Sequence, residues 1–151
     1  MLATGNIQMK KISGFAAVAC GVISFVQPAA AQSTACVAGP FVVFFEPDKD
    51  TITPSSSAIL DNAAQAYRTC ADAQVMIAGH TDRKGTDEYN FGLSKRMAAN
   101  VRAYLAGHGV PDGVMTTEAF GESRPLVATA DEVREPQNRR VEITFGPGSG
   151  W

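Results

Sequence analysis

Apolar positions along the chain change rhythm several times, and each change marks an element. Phe41-Val42-Val43-Phe44-Phe45 is a dense run of β-formers and predicts a central strand. Glu46-Pro47-Asp48-Lys49-Asp50 breaks it with turn chemistry. Thr53-Pro54 supplies a cap and a first-turn proline for a helix reaching about Thr69. Ile59, Leu60, Ala63, Ala64, Ala66 and Tyr67 lie on one face of that helix. Residues 74–78 read as a short buried strand that Gly79-His80-Thr81-Asp82 ends. A second helix is expected from about Asp87 to Ala106, capped by Asp87 or Asn90. Its inward stripe would be Tyr89, Leu93, Met97, Val101, Tyr104 and Leu105, and Gly107-His108-Gly109 stops it. A strand over 115–120, a turn over 121–125 and an irregular loop to residue 135 follow, with 131–135 exposed. Residues 139–145 alternate with period two, placing Val141, Ile143 and Phe145 inward. The order β-α-β-α-β-β implies an α/β (α+β) sandwich, with two main helices on one face of a mixed sheet.

The first 31 residues follow a different pattern. Met9-Lys10-Lys11 is a basic start, residues 12–26 are apolar and uncharged, and Pro28-Ala29-Ala30-Ala31-Gln32 has a small-x-small cleavage form. Residues 1–31 therefore read as a signal peptide, with Met9 as an alternative start. A lead-in covers 32–39, one domain 40–146, and a flexible tail 147–151. Ala17-Val18-Ala19-Cys20 is a degenerate lipobox, so lipidation at Cys20 is the rival to ordinary cleavage. Alanine at its −3 position and the apolar run after Cys20 favour cleavage.

Cleavage leaves two cysteines, Cys36 and Cys70, which an oxidising compartment would pair. In a strand–helix–strand crossover, a residue before the first strand and one after the helix lie at the same end. That favours the disulfide over two free thiols, with stabilisation of about 3–4 kcal/mol. Losing Lys10 and Lys11 leaves 11 basic residues against 15 acidic, a net charge of −4. Nucleic acid is a poor partner for such a surface.

An acid at a strand end facing a helix start is where α/β proteins often hold ligands, which singles out Asp82. His80 reads as a hydrogen-bonded structural residue; no cofactor or metal set stands out, His108 being distant. Gly79-His80-Thr81-Asp82, Tyr89-Asn90, Leu93-Ser94, Ala119-Phe120-Gly121-Glu122, Pro125 and Asn138-Arg139-Arg140-Val141-Glu142 closely resemble the C-terminal domain of OmpA, shared with Pal and MotB. The resemblance spans roughly residues 41–145, with the motifs in family order. It implies noncovalent binding of peptidoglycan through the diaminopimelate of its stem peptide. Asp82 would take the ligand ammonium, with Asn90, Thr81 and the Asp48 loop around it and Arg139 and Arg140 alongside.

One position departs from that pattern. The family usually places Arg three residues after the Leu-Ser serine, and here that residue is Met97. Arg96 is turned by about 100° on a helix, so Arg96, Arg139 or Arg140 would have to supply the cation. Spacing alone puts Met97 in the core. Three functions follow: a wall-binding module linking cell wall and outer membrane in the periplasm, a structural domain that contacts envelope proteins with weakened wall affinity, or a wall hydrolase. The hydrolase is disfavoured because no nucleophile–base pair stands out. On the sequence alone, Asp82→Ala should weaken wall binding without unfolding the domain.

Overall fold

The computed structural model describes residues 39–70 and 73–146; the expected signal peptide, Cys20, Cys36 and the tail at 147–151 lie outside the described residues. Strands β1 (Phe41–Phe44), β2 (Val75–His80), β3 (Met115–Gly121) and β4 (Arg140–Phe145) form one sheet in the order β1-β4-β2-β3. β4 is antiparallel to both β1 and β2, and β2 is parallel to β3. Helices α1 (Pro54–Thr69) and α2 (Asp87–Gly107) pack against this sheet, with single helical turns at Asp112–Val114 and Pro136–Asn138. The architecture is the two-helix, mixed-sheet sandwich the sequence implies.

β1 is an edge strand, not a central one. Among the described residues the last strand, β4, slips between β1 and β2, and it is the one strand that β1 pairs with. A run of five β-formers signals burial but does not say which strands will flank it. Val43 and Phe45 are buried while Phe44 is 46% exposed, so β1 alternates as an edge strand with one covered face does.

The core joins Val43, Leu60, Tyr67, Ile77, Met97, Val101, Leu105, Val141 and Ile143 between sheet and helices. Tyr67 and Phe41 both pack on the Phe145 ring. Thr53 caps α1, its hydroxyl accepting from the Ser56 N–H at 3.2 Å, with Pro54 in the first turn. Thr86, rather than Asp87 or Asn90, caps α2 by accepting from the Tyr89 N–H. Asp87 and Glu88 fill the first turn instead, where their charge suits the helix dipole. That register carries Tyr89 outward, 43% exposed, so the inward stripe begins at Asn90 and Leu93.

Two motif residues set how closely α2 approaches the sheet. A Cβ on Gly79 would collide with the Ser94 carbonyl oxygen, so only glycine lets strand and helix touch there. Ser94 is fully buried; its hydroxyl donates to the Phe91 carbonyl at 2.8 Å and accepts from the Gly121 N–H at 3.0 Å. This clasp places the end of β2 beside the start of α2. No helix among the described residues is long and apolar enough to cross a membrane.

Candidate functional site

Asp82 lies two residues past the end of β2 and is 4% exposed. A buried carboxylate needs a partner and hydrogen bonds, and it has both. Arg139 Nη1 donates to Asp82 Oδ2 at 2.9 Å, with both side chains over nine-tenths buried. The Glu135 N–H donates to Oδ2 at 3.2 Å and the Lys84 N–H to Oδ1 at 3.3 Å. Arg139 also donates through Nε to the Phe45 carbonyl at 3.1 Å, tying the corner to the end of β1. Arg139 lines an open cavity of about 450 Å³ with Phe44, Phe45, Glu46, Thr53, Ser55, Pro136 and Gln137.

Three exposed ion pairs surround this buried one. Arg134 Nη2 donates to Asp48 Oδ2 at 2.8 Å, and Lys84 Nζ to Glu132 Oε2 at 2.7 Å. Arg83 Nη2 pairs with Asp131. The loop over 131–135 is exposed as expected, yet its charges reach across to the turn after β2 and to the loop after β1. Asp48 and Glu132 have φ of +56° and +62°, in the left-handed region that side chains other than glycine occupy at a cost. The same loop is pinned from beneath by Asn138, which is fully buried. Its Oδ1 accepts from the Leu126 and Val127 N–H groups, and its Nδ2 donates to the Val127 carbonyl, each at 2.8 Å.

The expected site residues separate into two groups. Asp82, Arg139 and Asp48 gather at this corner. Thr81 abuts it in sequence, buried, its N–H on the Gly121 carbonyl and its hydroxyl without a hydrogen bond. Asn90 is 1% exposed and faces β3, donating to Glu122 Oε2 at 2.5 Å. Arg96 turns away: Nε binds Asp50 at 3.1 Å on an exposed flank. Arg140 is one residue from Arg139 on a strand and faces the other way, bound to Glu142 Oε1 at 2.6 Å and to two backbone carbonyls. Met97 is 1% exposed in the core. Arg134, Lys84 and the Glu135 backbone were missed by the sequence reading; the opposed charges of 83–84 and 131–134 were the available signal.

His80 is buried; the Arg124 backbone acts on its imidazole as a weak hydrogen-bond partner, too loose in geometry to count as a full bond to either ring nitrogen. Its ring stacks on Phe120 at 5.2 Å, and the Arg124 guanidinium sits 3.9 Å over that same phenyl ring. Burial first, and then the nearby Arg140 charge, push the imidazole down to about 4. Among the described residues no group of three or more His, Cys, Asp or Glu side chains could hold a metal ion.

An α/β sandwich with a charged corner between a strand end, a helix start and two loops is the class of domain these features define. The chain belongs to the OmpA family, whose pattern matches residues 44–139. It is 40% identical over 103 residues to a peptidoglycan-associated lipoprotein of Haemophilus influenzae, covering 68% of this chain and 67% of that protein. It is 39% identical over 109 residues to an outer membrane protein of Gluconacetobacter diazotrophicus, spanning 29% of that relative's length. The crystal structure of the peptidoglycan-associated lipoprotein from Burkholderia pseudomallei superposes with a TM-score of 0.64 at 32% identity, covering 69% of this chain and 88% of that one. The C-terminal domain of Helicobacter pylori MotB shares the fold, with a TM-score of 0.62 at 21% identity over 74% of this chain and 87% of that one.

Proposed function

We propose that this domain binds peptidoglycan noncovalently at the Asp82 corner, taking the free end of diaminopimelate in the stem peptide. The observation that carries the reading is the gathering of Asp82, Asp48, Arg139 and Arg134 at one corner of a family fold. The free end of diaminopimelate is a zwitterion, one ammonium beside one carboxylate. A corner that already holds carboxylates against guanidiniums offers a partner for each end. The names of its relatives fit a role in the periplasm, linking wall and outer membrane. Export by the leader at residues 1–31 belongs to the same reading, as does pairing of Cys36 with Cys70, which is buried at the end of α1. Lipidation at Cys20 is the alternative route to the membrane.

A second reading draws on Met97, an uncharged core residue where the family usually places an arginine. The domain would then be a structural module that contacts envelope proteins and grips the wall weakly. Catalysis is the weakest reading: the corner holds ion pairs and no paired nucleophile and base. Cosedimentation of the purified protein with diaminopimelate-type sacculi, beside lysine-type sacculi, separates the first two. Selective pelleting supports wall binding; a folded protein left in the supernatant of both supports the structural module. Release of muropeptides from either would favour the enzyme.

A further inference from the structure

We infer that Arg134 is the residue that binds the ligand carboxylate, exchanging its internal partner Asp48 for the ligand; this rests on the wall-binding reading above. The three arginines expected for the task are each committed elsewhere, and Arg83 is held by Asp131, Glu122 and the Thr129 carbonyl. Arg96 is committed to Asp50 on another flank. Arg140 is buried on the far side of β4 against Glu142. Arg139 is consumed by Asp82 and the Phe45 carbonyl, and taking it would strand a buried carboxylate.

Arg134 has the opposite character. Its side chain is 45% exposed and is held by Asp48, whose side chain is itself 44% exposed. An exposed pair of this kind is worth little and exchanges readily. Asp82 and Tyr89 also lie within electrostatic reach of the Arg134 guanidinium, so the rim cation stands beside the buried pair. The exchange conserves charge: the ligand carboxylate takes the Arg134 fork while its ammonium takes the released Asp48. Two charges of the protein that satisfy each other in the free state thus become two hands for a zwitterion. Lys84 is nearby but presents a point charge already bound to Glu132, without the planar fork that matches a carboxylate.

The test is a binding cycle with the purified protein and two synthetic stem tripeptides ending in meso-diaminopimelate. One carries the free side-chain carboxylate, and the other has it amidated. Wild type should favour the free acid by about tenfold or more, as a charged bidentate contact implies. Arg134→Ala should bind the two alike, and Arg134→Lys should discriminate weakly, with melting curves confirming that each variant is folded. Undiminished discrimination by Arg134→Ala would overturn the assignment while leaving wall binding intact. Equal binding of both peptides by wild type would overturn it as well. Failure of wild type to bind either peptide would overturn the wall-binding reading and this inference together.

Discussion

Asp82–Arg139 and Asp48–Arg134 are the same chemical pair in two settings. The first is sealed beneath the loop, its carboxylate also holding two backbone N–H groups. The second lies on the rim with nearly half of each side chain in water. A buried charge loses its hydration and must keep its partner, whereas an exposed one can change partners at little cost. The buried pair is therefore architecture: it fastens β4, the turn after β2 and the end of β1 into one corner. The rim pair is the part able to respond to a ligand.

The largest effect should come from breaking the buried pair. Arg139→Ala should destabilise the domain by about 3–5 kcal/mol, because Asp82 stays buried without a cation; chemical denaturation measures it. Asp82→Ala leaves Arg139 equally stranded, so unfolding and lost binding would coincide in that variant. This corrects the expectation that Asp82 could be removed without structural cost. A loss below about 1 kcal/mol in Arg139→Ala would erase the distinction between the two pairs.

Acid should test the same interior. The folded-state pKa of His80 is about 4, below the ordinary value of 6.5. The unfolded chain therefore binds the proton first, and stability is full above pH 6.5 and declines as pH falls toward 4. That decline should amount to about 3 kcal/mol. Unfolding curves between pH 7 and 4 should lose most of this dependence in His80→Gln. An unchanged slope would assign the acid sensitivity elsewhere.

Next in size is the loop's own anchor. Asn138→Ala should cost about 2–3 kcal/mol, since two backbone N–H groups and a carbonyl lose their partner beneath the strap. Hydrogen exchange at Leu126 and Val127 should rise with it. The smallest structural effect belongs to the rim. Asp48→Asn and Arg134→Ala should leave the melting temperature nearly unchanged while weakening peptide binding, and Arg96→Ala should alter neither. A large thermal shift in the rim variants would make that pair architecture too.

Local rules made much of this legible in advance. Thr53-Pro54, the glycine stop after α2 and the two-residue rhythm of β4 each act within a few residues, and the structure matches them. Opposite facing of Arg139 and Arg140 also followed from strand geometry alone. What stayed hidden depends on distant segments. The position of β1 at the edge is decided by β4, nearly a hundred residues later. The role of Arg134 is decided by Asp48, 86 residues away, across loops with no periodicity to read. Thr86 was overlooked as a cap because Asp87 and Asn90, close by, carry equally suitable side chains.

The place of β4 has a consequence for how the domain comes into being. β1 and β2 are not neighbours in the sheet; β2 also pairs with β3, whereas β1 joins through β4, which follows them all in sequence. During synthesis the first strand has no sheet neighbour until β4 has been made, about a hundred residues later, and most of its order must wait for it. Arg139 arrives in the same stretch, so the sheet's closing strand and the cation for Asp82 come together. Assembly of the fold and neutralisation of its buried acid are thus a single late event.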